Sequence, residues 1–84
     1  MNTYFFLFVF NKKTAKSKPD YTFGPYIHFK DAVALLDRVP DLISFQEAYT
    51  IHINEMLFEQ DAWDTLGTRM EMTVEKNKIT TGKL

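Results

Sequence analysis

Two histidines, His28 and His52, are the side chains of this sequence that titrate near neutral pH unaided, so acid–base or metal chemistry would start there. His28 stands three residues before Asp31, at the head of a helical pattern, where an N-cap belongs and where Ser, Thr or Asp would serve better. His52 stands in "AYTIHIN", on the polar side of a strand-like alternation. A zinc site or an acid–base pair would need these two to converge with a carboxylate such as Asp31 or Glu55, and no short spacing forces that. The serines fare no better, because Ser17 and Ser44 both lack the strand–glycine–helix elbow that exposes a nucleophile. Three widely separated glycines make no phosphate-binding loop, and the lack of cysteine excludes disulfides, thiolate metal sites and cysteine nucleophiles. The sequence is therefore expected to encode no enzyme, with no catalytic residue, no metal and no cofactor.

Charge is more informative than any single residue. The net charge of −1 hides segregation. Residues 1–30 hold five lysines against one acid, residues 31–75 hold two arginines against ten acids, and residues 76–84 hold three lysines. Lys12, Lys13, Lys16 and Lys18 share one polar stretch, "NKKTAKSKP". Beside exposed sheet aromatics such a loop would suit single-stranded nucleic acid, although a pI of about 6.1 is far from the basic footprint of most nucleic-acid binders. The acidic counterpart is Glu55, Glu59, Asp61 and Asp64, with no basic residue among them. Phe58 and Trp63 lie between these acids, and aromatic anchors ringed by charge are typical of interface centres.

The elements that must position these residues follow from hydrophobic periodicity. Tyr4 to Phe10 is wholly apolar. It has no basic region before it and no small-residue cleavage site after it, so it reads as a strand and not as an export signal. Seven apolar residues also fall well short of the roughly 20 that span a membrane. Alternation puts Tyr4, Phe6, Phe8 and Phe10 on one face and Phe5, Leu7 and Val9 on the other, so both faces ask for cover. A second strand is expected around Tyr21 and Phe23, joined by an antiparallel hairpin. Phe29, Ala32, Val33 and Leu36 then follow helical spacing over roughly residues 29–38, and Pro40 is expected to stop that helix. A strand is expected over about 47–54, a short helix or turn over "FEQDAWDTLG" ending at Gly67, and a half-buried strand over "TRMEMTVEK".

The expected fold is α+β, a small, mostly antiparallel four-stranded sheet in the chain order β-β-α-β-(short α)-β with helices packed on one face. Residues 1–76 would form a single domain and 77–84 a flexible tail. One short helix and a shorter second one can blanket one face of such a sheet but not two. Leaving three large side chains of the first strand wet would forgo several kcal/mol, at about 25 cal/mol per Å² of apolar area. Phe5, Leu7 and Val9 are accordingly expected to need further cover, from a second copy of the chain, from a different protein, or from residues 42–58 should that segment be a helix and not a strand. Together with Glu55, Phe58, Glu59, Asp61, Trp63 and Asp64 they form the candidate protein interface.

The functional expectation is a small, cytoplasmic, non-catalytic protein-binding module that acts through a sheet face or the acidic segment and self-associates, for instance as a homodimer. A compact, cysteine-free chain with segregated charge would suit an inhibitor or anti-defence factor of a phage or mobile element. The alternative is single-stranded nucleic-acid binding through Lys12, Lys13, Lys16 and Lys18. No membrane partner is expected.

Overall fold

Stretches dense in aromatic and β-branched side chains form the strands, because such side chains pack well on a pleated surface. The computed structural model describes residues 2–12, 18–44, 48–75 and 78–82, the last as backbone. Its strands are β1 (Asn2–Asn11), β2 (Tyr21–Tyr26), β3 (Ala48–Glu59), β4 (Ala62–Glu75) and β5 (Lys78–Gly82). They pair antiparallel throughout, in the order β2-β1-β3-β4-β5. Between β2 and β3, helix α1 (Phe29–Ala34) runs into a 3-10 turn at Leu35–Arg38 and then into the single-turn α2 (Val39–Leu42). The chain is thus α+β and dominated by its sheet. No helix among the described residues is long and apolar enough to cross a membrane.

The core lies on one side of the sheet. Leu7 and Val9 of β1 and Tyr49, Ile51 and Ile53 of β3 are buried in one cluster with Ala32, Val39 and Ile43 from the helical segment and its exit. Phe5 meets Phe29 of α1 edge-on, with ring centres 5.6 Å apart. Burial pushes the Tyr49 phenol pKa up, since desolvation disfavours the phenolate. Tyr21 and Ser44 tie the far end of the helical segment to β2: the Tyr21 hydroxyl donates to Ser44 Oγ at 3.0 Å and accepts from the Ser44 N–H at 3.1 Å.

Four expectations from the sequence are corrected. The segment expected as a short helix or turn is the tip of a long β3–β4 hairpin, closed after the Glu59–Ala62 pair by Gln60 and Asp61. Both turn residues have positive φ, 52° and 60°, as a two-residue type I′ turn demands. Neither is the Asn or Gly that usually announces such a turn, which is why the signal was absent. Gly67 accordingly lies inside β4, opposite Glu55, and ends no helix.

Pro40, expected as a stop, sits instead in the first turn of α2, where its missing N–H costs nothing. Val39 before it is helical (φ −54°, ψ −43°) and its buried side chain anchors the turn in the core. The tail is not free over its whole length either. Lys78–Gly82 adds a fifth strand along Glu71–Glu75 of β4, so the sheet has five strands where four were expected. The fourth correction, the identity of the uncovered face, belongs with the site.

Candidate functional site

Alternation along β1 assigns its side chains to two sides, and register carries that assignment across the sheet. The pairs Phe5↔Glu55, Leu7↔Ile53 and Val9↔Ile51 share the core side, whereas Tyr4↔Met56, Phe6↔Asn54 and Phe8↔His52 share the other. The helical segment covers the first set. Leu7 and Val9 are 0% exposed and present no surface to a partner. The sequence expectation is therefore reversed: Phe5, Leu7 and Val9 pack beneath the domain's own helices, and Tyr4, Phe6, Phe8 and Phe10 are the side chains left over. Among the described residues no helix lies against them.

Further aromatic and sulfur side chains gather on this open face. Phe58 and Trp63 are directly opposite each other across β3 and β4, next to the hairpin tip. Two bulges in β4 keep Trp63 on this side: the register skips once between the partners of Ile53 and Asn54 and again between those of Glu55 and Met56. One such skip turns a strand over, and the second turns it back.

Trp63 meets Phe58, Phe6 and Tyr4 at ring-centre distances of 4.7, 4.9 and 5.6 Å, the last two edge-on. Phe6 stacks on Phe8 at 5.9 Å. Phe6, Phe8, Thr22, Met56 and Trp63 line a shallow apolar groove of about 210 Å³. The tryptophan stays 42% exposed despite its three aromatic neighbours.

Polar groups on the same face are few. His52 packs its ring against Phe10 at 5.2 Å, with Nε2 3.8 Å from Glu71 Oε1, an ion pair whenever the imidazole is protonated. Asn54 Oδ1 is shut off from solvent with no hydrogen-bond partner among the described residues. His28 is exposed at the N-cap of α1, on the helical side, and makes no side-chain capping bond. The two histidines are thus not brought together. Among the described residues no group of three His, Asp or Glu side chains is arranged to hold a metal ion.

The charged candidates separate as well. Glu55 faces the helical side and is taken by Arg69, whose Nε donates to Oε1 at 2.8 Å. Glu59, Asp61 and Asp64 stand exposed around the hairpin tip, with no ion-pair partner among the described residues. At the opposite end of β1, Lys12 pairs with Glu75 and Lys18 is exposed. Lys13 and Lys16 lie outside the described residues. Unpaired acids thus gather at the hairpin tip, whereas at the other end Lys12 and Lys18 stand with Glu75 and Asp20.

Reasoning from sequence missed Tyr4, Phe6, Phe8, Phe10 and Met56 as the surface. A usable signal was present in β3, where Tyr49, Ile51 and Ile53 are apolar and Thr50, His52 and Asn54 are polar, so the core side of that strand is legible. Carrying it to β1 needed the β1–β3 register, which no local pattern fixes.

No protein-family model matches the chain, and no curated protein or solved structure matches it either.

Proposed function

We propose that the protein is a non-catalytic binding module whose open aromatic face docks onto another protein surface. The observation that carries this reading is the row Tyr4, Phe6, Phe8 and Phe10, extended by Met56, Phe58 and Trp63, on the side of the sheet opposite the cluster that Leu7, Val9, Ile51 and Ile53 share with Ala32 and Val39. Large contiguous apolar patches on folded proteins mark interaction surfaces, and aromatic residues and methionine are the types enriched at the centres of interfaces. The acids at the hairpin tip form a charged rim next to Trp63, which adds specificity and a preference for a partner that is basic there. Such a module works stoichiometrically, by occupying a surface, as an inhibitor or an anti-defence factor does.

Single-stranded nucleic acid is the weaker occupant. Glu71 on the face and Glu59, Asp61 and Asp64 at its edge repel phosphates, and Lys12 is engaged by Glu75.

The test compares affinity capture by the wild type and by the Phe6→Ser/Phe8→Ser double variant from the cells that make the protein, with melting temperature as the control for folding. A partner held in stoichiometric amount by the wild type and lost by the folded variant is the expected result. Identical sets of captured proteins would overturn the reading.

A further inference from the structure

We propose that Met56 is an oxidative modification site: a peroxide converts its thioether to the sulfoxide, and the sulfoxide closes the open face to the partner. The effect on docking rests on the reading above, whereas the chemistry at Met56 stands on its own observations.

The chain has four methionines and no cysteine, so thioethers are the only sulfur it offers an oxidant. Their places in the fold differ. Met70 and Met72 of β4 pack against the buried cluster on the helical side, and Met1 lies outside the described residues. Met56 is on the open face, between Tyr4 of β1 and Thr65 of β4. It lines the shallow groove of about 210 Å³ together with Phe6, Phe8, Thr22 and Trp63, and a molecule as small as hydrogen peroxide enters there.

The Thr65 hydroxyl is the second observation. It donates to Met56 Sδ at 3.4 Å. A thioether is a weak acceptor, whereas oxidation makes the side chain polar and gives it an oxygen that accepts far better. A donor thus already stands beside the product, and the sulfur keeps a second lone pair with which to react. That lone pair attacks one oxygen of the peroxide, the O–O bond breaks, and the other oxygen leaves as water with both protons. Sulfur loses two electrons and the peroxide gains them. Enzymatic reduction of the sulfoxide reverses the change.

The product places an S–O dipole in a groove whose other walls are mainly Phe6, Phe8 and Trp63. An apolar group of the partner packing there must strip water from the sulfoxide oxygen, and the Thr65 hydroxyl replaces that water only in part. Docking therefore weakens while the fold persists, because Met56 is only part-buried and lies outside the closed core.

The experiment treats the purified chain with hydrogen peroxide, with melting temperature as the control for folding. It compares wild type, Met56→Leu and Met70→Leu/Met72→Leu by peptide mass mapping, Trp63 emission and affinity for the neutral apolar dye Nile red. In the wild type the Met56 sulfoxide should form several times faster than that of Met70 or Met72. Trp63 emission should shift to the red, and the dye should bind about tenfold more weakly. Met70→Leu/Met72→Leu should keep both responses. Met56→Leu, whatever its starting affinity, should show neither. Equal oxidation rates at the three positions, or an undiminished response in Met56→Leu, would overturn the assignment.

Affinity capture by the oxidised wild type tests the link to docking, and loss of the partner held by the untreated protein is expected. An oxidised protein that still holds the partner, when Phe6→Ser/Phe8→Ser does not, would overturn this proposal alone. Unchanged capture by Phe6→Ser/Phe8→Ser would overturn the docking reading and, with it, the effect of oxidation on docking.

Discussion

The two faces of the sheet are made by the same strands, and along β1 from equally apolar residues, yet they have opposite fates. On one, Leu7, Val9, Ile51 and Ile53 vanish beneath a helical segment of fourteen residues, Phe29–Leu42. On the other, larger side chains (Tyr4, Phe6, Phe8 and Phe10) are only part-buried and Trp63 is exposed. Apolar content along β1 alone therefore does not say which of its sides is the core. What decides it is which side the helix returns to, and that depends on β2 leading into α1 from the Leu7 side. The aromatic residues on the open side bury part of themselves by ring-on-ring contact within the sheet, which lowers the cost of exposure without removing it.

The sharpest way to break this comparison is to delete one side chain from each face of β1. Leu7→Ala should cost about 2–5 kcal/mol, because it leaves a cavity in a closed core. Phe8→Ser should cost less than Leu7→Ala in dilute protein, because Phe8 is only part-buried and leaves no closed cavity. Urea melts at low micromolar concentration read both, and equal losses would mean that the two faces are equally closed.

Gly24 tests the edge where the faces meet. Its φ of +131° is outside the range of ordinary side chains, and an added Cβ would stand 3.0 Å from both the Phe5 carbonyl oxygen and the Phe6 ring. Gly24→Ala should therefore destabilise by about 2 kcal/mol or more and disturb the open face through Phe6, visible as a shift in Trp63 fluorescence.

The closed face should also carry the alkaline limit of stability. With the Tyr49 pKa raised by burial, the folded state keeps its phenol proton above pH about 10 while the unfolded chain loses it. The unfolded state then binds fewer protons, so stability is fully present below pH about 10 and falls as pH rises beyond it. Melting temperatures across that range should show the fall, and Tyr49→Phe should flatten it.

A stabilising change is expected at the hairpin tip. Gln60→Asn/Asp61→Gly puts at the two positions of positive φ the pair that tolerates them best and should add about 1 kcal/mol, with Trp63 emission unchanged.

Much of the fold was legible because periodicity was strong: the strand character of β1 and β2, the helical spacing from Phe29, and the alternation of Ile51 and Ile53 and of Met70 and Met72. What was not legible depends on contacts remote in sequence. β5 carries only Ile79 among polar neighbours, and it forms because β4 offers it a free edge. The β3–β4 tip lacks a recognisable turn dipeptide, so its acids resembled a helix start. As for the site, composition marks Phe58 and Trp63, which fall on the open face, whereas nothing local tells Phe5, Leu7 and Val9 from the opposite side of β1, because the β1–β3 register decides it.

The most direct measurement is photo-crosslinking from a benzoylphenylalanine placed at position 8 on the open face, compared with one at Lys30 on α1, in the cells that make the protein. A discrete protein adduct from position 8 and none from position 30 is the expected result. No adduct from position 8, or the same adducts from both positions, would contradict the claim that the aromatic face is where another protein docks.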